Sequence, residues 1–139
     1  MKPEPGTDLP PYRIEHVDPE TMKAWAPLLR DPNPIHLDRA AVRAAGLGDR
    51  RINQGPINLA YVVTLLHRAF PGAFIEDIRN RFTDNAYEGE ALEARATVTG
   101  VEDTDGRTRV TLEFTLNSDE RAVVISGTAA LILPEGEAT

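Results

Sequence analysis

The sequence predicts an α+β domain: a curved antiparallel β-sheet wrapped around one long buried helix, with short helices before it. Three observations carry this. Between Pro56 and Phe70, the residues Ile57, Leu59, Ala60, Tyr61, Val62, Val63, Leu65, Leu66, Ala69 and Phe70 cover nearly every side of a helix. A helix that is apolar all round is a buried helix. Everything after it reads as strand. No repeat or linker divides the 139 residues, a length that suits one domain with one core.

The elements follow in order. Residues 1–11 are proline-rich, lack an apolar signal core and read as a flexible lead-in to a domain spanning residues 12–133. Tyr12 to Val17 alternates and suits a first strand. Asp18 then Pro19 is a helix start, N-cap followed by first position, for a helix running to about Leu29 and disturbed by Pro27. Asp38 can cap a second short helix over residues 39–45, closed by Gly46. Gly46 to Gly55 is a connector carrying Asp49, Arg50 and Arg51. Gly55-Pro56 opens the long helix and Pro71-Gly72 stops it.

Strands are expected over residues 74–82, 92–101, 108–117 and 122–133. The third has Val110, Leu112, Phe114 and Leu116 on one face and Arg109, Thr111, Glu113 and Thr115 on the other. A hairpin turn is expected over residues 103–106 and another turn over residues 117–120. The last strand is apolar on both faces in its middle, which argues for a central place in the sheet. Residues 134–139 form a short acidic tail, expected to be disordered. A curved antiparallel sheet is the natural cover for a wholly apolar helix. That is the hot-dog arrangement.

Composition narrows the function. The net charge is −7, the wrong sign for non-specific nucleic-acid binding. No apolar run is long enough to span a bilayer. Cysteine is absent, so there is no disulfide, thiol nucleophile or thiolate metal site, and a cytoplasmic location fits. No His, Asp and Glu cluster has ligand spacing, so no metal is expected. His16 and His67 read as structural.

The chemistry concentrates in Asp31-Pro32-Asn33-Pro34-Ile35-His36-Leu37-Asp38. Proline fixes its own φ and restricts the residue before it. Pro32 and Pro34 therefore keep Asp31, Asn33 and His36 off a regular helix, on a stiff loop. A carboxylate and an imidazole there can share one water or one proton, the minimum for general acid–base chemistry. Asp and Asn also favour turns and caps for purely local reasons, and Asp38 reads as a helix cap.

This loop, followed by Ala41, Gly46, Ile52 and Gly55 before the long helix, resembles the MaoC-like family, which includes the (R)-specific enoyl-CoA hydratases. Arg81-Phe82, Glu88-Gly89-Glu90 and Gly127-Thr128-Ala129 resemble its later motifs. The resemblance spans roughly residues 12–133. It implies a hot-dog fold and an enzyme that hydrates a 2-enoyl thioester or dehydrates a 3-hydroxyacyl thioester, such as an acyl-CoA. It implies that Asp31 and His36 activate one water, that Asn33 helps hold the pair, and that the Gly55 N–H binds the thioester carbonyl. No cofactor is implied beyond the coenzyme A of the substrate. The sequence departs from the family at Gln54-Gly55, where His-Gly is usual, and at Asp84-Asn85-Ala86, where a proline is common.

Further substrate contacts are expected from Gln54, Arg79, Arg81 and Tyr61. Arginine forks match phosphate oxygens, which also brings in Arg50 and Arg51, although surface solvation explains any one of them. Tyr61 and Trp25 suit an acyl tunnel or plain core packing. A long sheet edge invites pairing, so a homodimer is expected, with sites between subunits. The departures at Gln54 and Asp84 favour an alternative, an inactive or weak subunit that completes another hot-dog subunit's site. A thioesterase ranks lower, because residues 56–70 hold no Asp or Glu to activate water.

Overall fold

The computed structural model describes residues 3–121 and 123–136. Residues 1–2, Ala122 and residues 137–139, which include the start of the expected last strand and half of the expected tail, lie outside the described residues.

The chain order is β1 (Tyr12–Ile14), α1 (Pro19–Leu29), a 3-10 turn (Pro34–His36), α2 (Arg39–Ala44), α3 (Gly55–Ala69), β2 (Phe74–Phe82), β3 (Leu92–Thr104), β4 (Arg107–Ser118) and β5 (Val123–Ile132). The strands form one sheet in the order β1-β3-β4-β5-β2. Every neighbouring pair is antiparallel. β5 is interior, as its apolar residues require, although β4 is the middle strand.

The helix boundaries follow from capping. The Asp18 side chain accepts from the Glu20 N–H at 2.9 Å, with Pro19 at the first helical position. Pro27 sits in the last turn of α1, close to where the helix stops, and the helix closes at Arg30 with φ of 50°. Asp38 caps α2 through the Ala40 N–H at 2.9 Å. α2 ends at Ala44, one residue short of the expected end.

The core lies between the sheet and α3. Ala94, Ala96 and Val98 of β3, Leu112, Phe114 and Leu116 of β4, and Ile125, Ala129 and Leu131 of β5 share one buried cluster with Val62, Leu65 and Leu66 of α3. Met22 anchors α1 to the same cluster. Alternation sends Arg95, Glu113 and Thr128 to the outer face.

Two expectations change. α3 is not wholly buried in the single chain. Ile57, Asn58, Val62, Leu65 and Leu66 are buried, whereas Leu59, Ala60, Tyr61 and Val63 are half-buried. The sheet covers one side of the helix, and the apolar residues on the other side remain partly open. Nor are residues 3–11 a loose lead-in. The Gly6 N–H donates to the Val98 carbonyl at 2.7 Å, the Val98 N–H to Thr7 at 2.8 Å and the Leu9 N–H to Ala96 at 2.9 Å. Leu9 is buried. Upstream of β1 the chain thus continues along the same edge of β3, and its prolines are tolerated because an edge need not donate on both sides.

One brace ties the connector to the sheet. Residues 51–53 run antiparallel to residues 86–88, with Asn53 N–H to Ala86 carbonyl and Glu88 N–H to Arg51 carbonyl both at 2.8 Å, and an Ile52–Tyr87 bridge. The buried Glu88 carboxylate accepts from the Arg51 N–H at 2.9 Å, from Arg51 Nη2 at 2.9 Å, and from Arg39 Nε and Nη2 at 2.8 and 3.0 Å. Next to it, buried Glu90 accepts from the Tyr87 N–H at 2.6 Å, from Arg121 Nη2 at 2.8 Å and from the Ser118 hydroxyl. Arg121 also lies over the Tyr87 ring, 4.6 Å from its centre.

Two outcomes are expected. A Cβ on Gly127 would press into the Arg79 carbonyl and lie 2.6 Å from Phe114 Cζ. Gly127→Ala should therefore cost about 2 kcal/mol or more in urea unfolding, as overpacking does. The hydrogen bonds of Arg39, then those of Arg51, hold the Glu88 carboxyl far below the usual carboxylate range. Its stabilisation is then full above the unfolded-state value of about 4.3 and is lost as pH falls below it. Glu88→Gln should unfold more readily than wild type at pH 7, and thermal melts should show that gap narrowing below about pH 4.

Candidate functional site

The Asp31–His36 loop is built by its own side chains. After α1 closes, the Asp31 N–H returns to the Ala26 carbonyl at 3.1 Å. Asp31 Oδ1 accepts from the Asn33 N–H at 3.1 Å, and Asn33 Oδ1 accepts from the Ile35 N–H at 3.2 Å. Asn33 thereby caps the 3-10 turn, with Pro34 at its first position. These two overlapping turns bring His36 back to Asp31, with Nε2 3.2 Å from Oδ2.

The other ring nitrogen decides the chemistry. His36 Nδ1 lies 2.7 Å from the Ile52 carbonyl. A carbonyl only accepts, so Nδ1 carries a proton, and in the neutral form of the ring Nε2 is the bare nitrogen. Nε2 and the Asp31 carboxylate are then two acceptors face to face. One proton between them, or a water donating to both, reconciles them. His36 is buried, while the Asp31 side chain is 32% exposed, so the pair opens to one side only.

Gly55 is the first residue of α3. It follows the Ile52 carbonyl by only Asn53 and Gln54, so one short stretch both orients His36 and opens the helix. The Gly55 N–H has no partner among the described residues, as expected of a first-turn donor. The Phe82 ring lies against it, 3.2 Å from where a Cβ would stand.

The remaining expected contacts are placed differently. Gln54 is fully buried and donates from Nε2 to the Met22 carbonyl at 2.9 Å, so it is a strut between α1 and α3, with its Oε1 unpartnered. Arg79 and Arg81 do not join the group. In β2 they are paired with Thr128 and Ser126 on the sheet's outer face, while Asn80 and Phe82 take the inner face. The alternation of side chains dictates this. Arg79 pairs with Asp77 at 3.2 Å. Tyr61 is half-buried against the core, and its hydroxyl accepts from Asn53 Nδ2 at 3.3 Å. Burial pushes the Tyr61 hydroxyl up from its ordinary value. Arg51 is committed to Glu88, and Arg50 to Glu120 at 3.1 Å.

Sequence reasoning missed the Ile52 carbonyl, which is a backbone group, and buried Asn53, which donates to Asn58 Oδ1 at 2.8 Å and steadies the first turn of α3. A groove of about 820 Å³ lies on the outer sheet face, lined by Asp8, Arg95, Thr97, Glu113, Ser126 and Thr128. Gly127 and Thr128 border it, whereas Asp31, Asn33, His36 and Gly55 do not.

Comparison with known proteins identifies the fold and the family. A comparison with curated proteins found no match. Many solved structures do match in fold. The (R)-hydratase of A. caviae involved in PHA biosynthesis superposes with a TM-score of 0.84 at 22% identity, over 94% of this chain and 97% of that one. The R-hydratase PhaJ1 of Pseudomonas aeruginosa gives 0.80 at 24%, over 95% and 83%. The ChsH1-ChsH2 complex of Mycobacterium tuberculosis gives 0.81 at 21%, over 94% and 98%. These similarities establish the hot-dog fold. The MaoC like domain matches residues 2–120, which takes in the Asp31–His36 loop, α3 and Glu88 but leaves out β5 and its Gly127-Thr128-Ala129 motif. The match covers most of the sequence, and the chain belongs to the family of the MaoC like domain, the MaoC dehydratase family.

Proposed function

We propose that the chain adds water to a 2-enoyl thioester, or removes it from a 3-hydroxyacyl thioester, with an acyl-CoA as the substrate. One observation carries this: His36 is pinned at Nδ1 by the Ile52 carbonyl at 2.7 Å and turns Nε2 to Asp31 Oδ2 at 3.2 Å. That arrangement suits one water held by two bases.

In the hydration direction the Gly55 N–H binds the thioester oxygen. Negative charge develops there as the water oxygen bonds to C3, and an unpaired donor at a helix N-terminus stabilises it. The His36–Asp31 pair takes a proton from that water and returns one to C2. Hydroxyl on C3 and hydrogen on C2 together account for the water consumed. Asn33 keeps Asp31 and His36 in register through its turn.

Two open features support a homodimer. β2 is an edge strand, paired only with β5. α3 leaves Leu59, Tyr61 and Val63 half-buried. A second copy would cover both and wall the site from its other side. A second reading has one specific support. Gln54, in place of a group that titrates, is turned into the protein as a strut. A chain of this kind fits a subunit that needs a hot-dog partner, and the ChsH1-ChsH2 complex shares its fold.

The test is crotonyl-CoA hydration by the purified chain, followed by loss of the conjugated-thioester absorbance. Turnover is expected, with Asp31→Asn and His36→Ala each lowering kcat about a hundredfold or more. Near wild-type rates in either variant would refute the mechanism. Full activity of the lone chain would dispose of the partner-dependent reading. Light scattering at micromolar concentration should give twice the chain mass.

A further inference from the structure

His36 owes its proton arrangement to a backbone carbonyl on a connector of irregular structure. Something must hold that carbonyl still. Ile52 is tied at one end, its N–H donating to the Ile35 carbonyl at 3.0 Å while its own carbonyl accepts from His36. Upstream of it the connector has little to fix it: Gly46 and Gly48 have φ of 73° and 102°, and Leu47 is exposed. Backbone pairing with residues 86–88 holds residues 51–53, and Glu88 adds a side-chain grip to it. Its two oxygens take four donors, two from Arg51 and two from Arg39. Arg51 directly precedes Ile52. Arg39 opens α2, three residues after His36. One buried carboxylate therefore grips the chain on both sides of the His36–Ile52 hydrogen bond.

We propose that Glu88 is a positioning residue for the reaction, holding His36 in its Nδ1–H form by clamping Arg51 beside Ile52 and Arg39 beyond His36. This rests on the hydratase reading for its consequence in catalysis, but not for its geometry. Glutamine at this position has one acceptor oxygen and an NH2 group that would face guanidinium donors. With the grip halved, the Ile52 carbonyl drifts, and the imidazole gains the alternative form with its proton on Nε2. That form cannot accept a proton from water at Nε2.

The experiment is NMR of the full-length chain labelled with 15N at histidine, in which the two ring nitrogens report the tautomer. The chain has three histidines, and His36→Gln assigns the signal of interest. Wild type is expected to show the Nδ1–H form, and Glu88→Gln a mixture of both. The kcat for crotonyl-CoA should fall about tenfold or more with KM little changed, the pattern of a lost supporting hydrogen bond. Arg39→Ala, at a side chain 57% exposed, leaves the fold intact and should move the same signals in the same direction by less. Unchanged histidine signals in both variants would overturn the proposal, whatever their rates or melting temperatures. A wild type without activity on crotonyl-CoA whose histidine signals still shift in Glu88→Gln would uphold the clamp and count against the hydratase reading instead.

Discussion

The hydrogen bond between His36 Nδ1 and the Ile52 carbonyl, 2.7 Å long, is the constraint on which the site depends. It joins a loop that follows α1 to a connector that leads into α3. It sets which ring nitrogen is bare. It also fixes the start of α3, because Ile52 and Gly55 belong to the same short run. An imidazole held only by Asp31 could turn and present either nitrogen. Held by a carbonyl, it has one orientation and one neutral form.

The rest of the fold can be understood as support for that bond. Met22 anchors α1 in the core, and Gln54 reaches back to the Met22 carbonyl, so the helix before the loop and the helix after it move together. The antiparallel run of residues 51–53 on 86–88 attaches the connector to a segment that Arg121 and Ser118 secure at Glu90. β3, β4 and β5 provide a rigid floor under α3. The Asp31–His36 pair itself stands on a loop, which leaves the Asp31 carboxylate partly exposed.

Much of this was legible in the sequence where a local rule decides the outcome. Asp18 and Asp38 cap helices because a short carboxylate before a helix has few better uses. β3 and β4 alternate so regularly that only a half-buried strand suits them. The loop shape was legible too, since two prolines and two Asx residues leave few alternatives. Arg79 and Arg81 are a different case. Their outward direction was available from the alternation of β2, in which Ile78 faces the core and its odd-numbered neighbours cannot. The pairing of residues 6–9 with β3 was hidden by prolines that usually argue against strand. The half-open side of α3 was hidden because an apolar surface reads the same whether this chain or another covers it.

The two acids of Glu88-Gly89-Glu90 show why composition alone underrates a loop. A buried carboxylate is costly, and replacing a buried ion pair by apolar residues of similar volume is often neutral or stabilising. An apolar cluster between the connector and residues 86–88 would hold the two segments together about as firmly. It would not fix them in register, because apolar contacts have no preferred direction. Charge-assisted hydrogen bonds do, and the paired arginine forks on Glu88 admit one geometry. The His36–Ile52 hydrogen bond demands that a carbonyl stay within reach of one ring nitrogen. Directional contacts serve that demand where burial alone does not, and this accounts for a buried carboxylate gripped by two arginines beside the core.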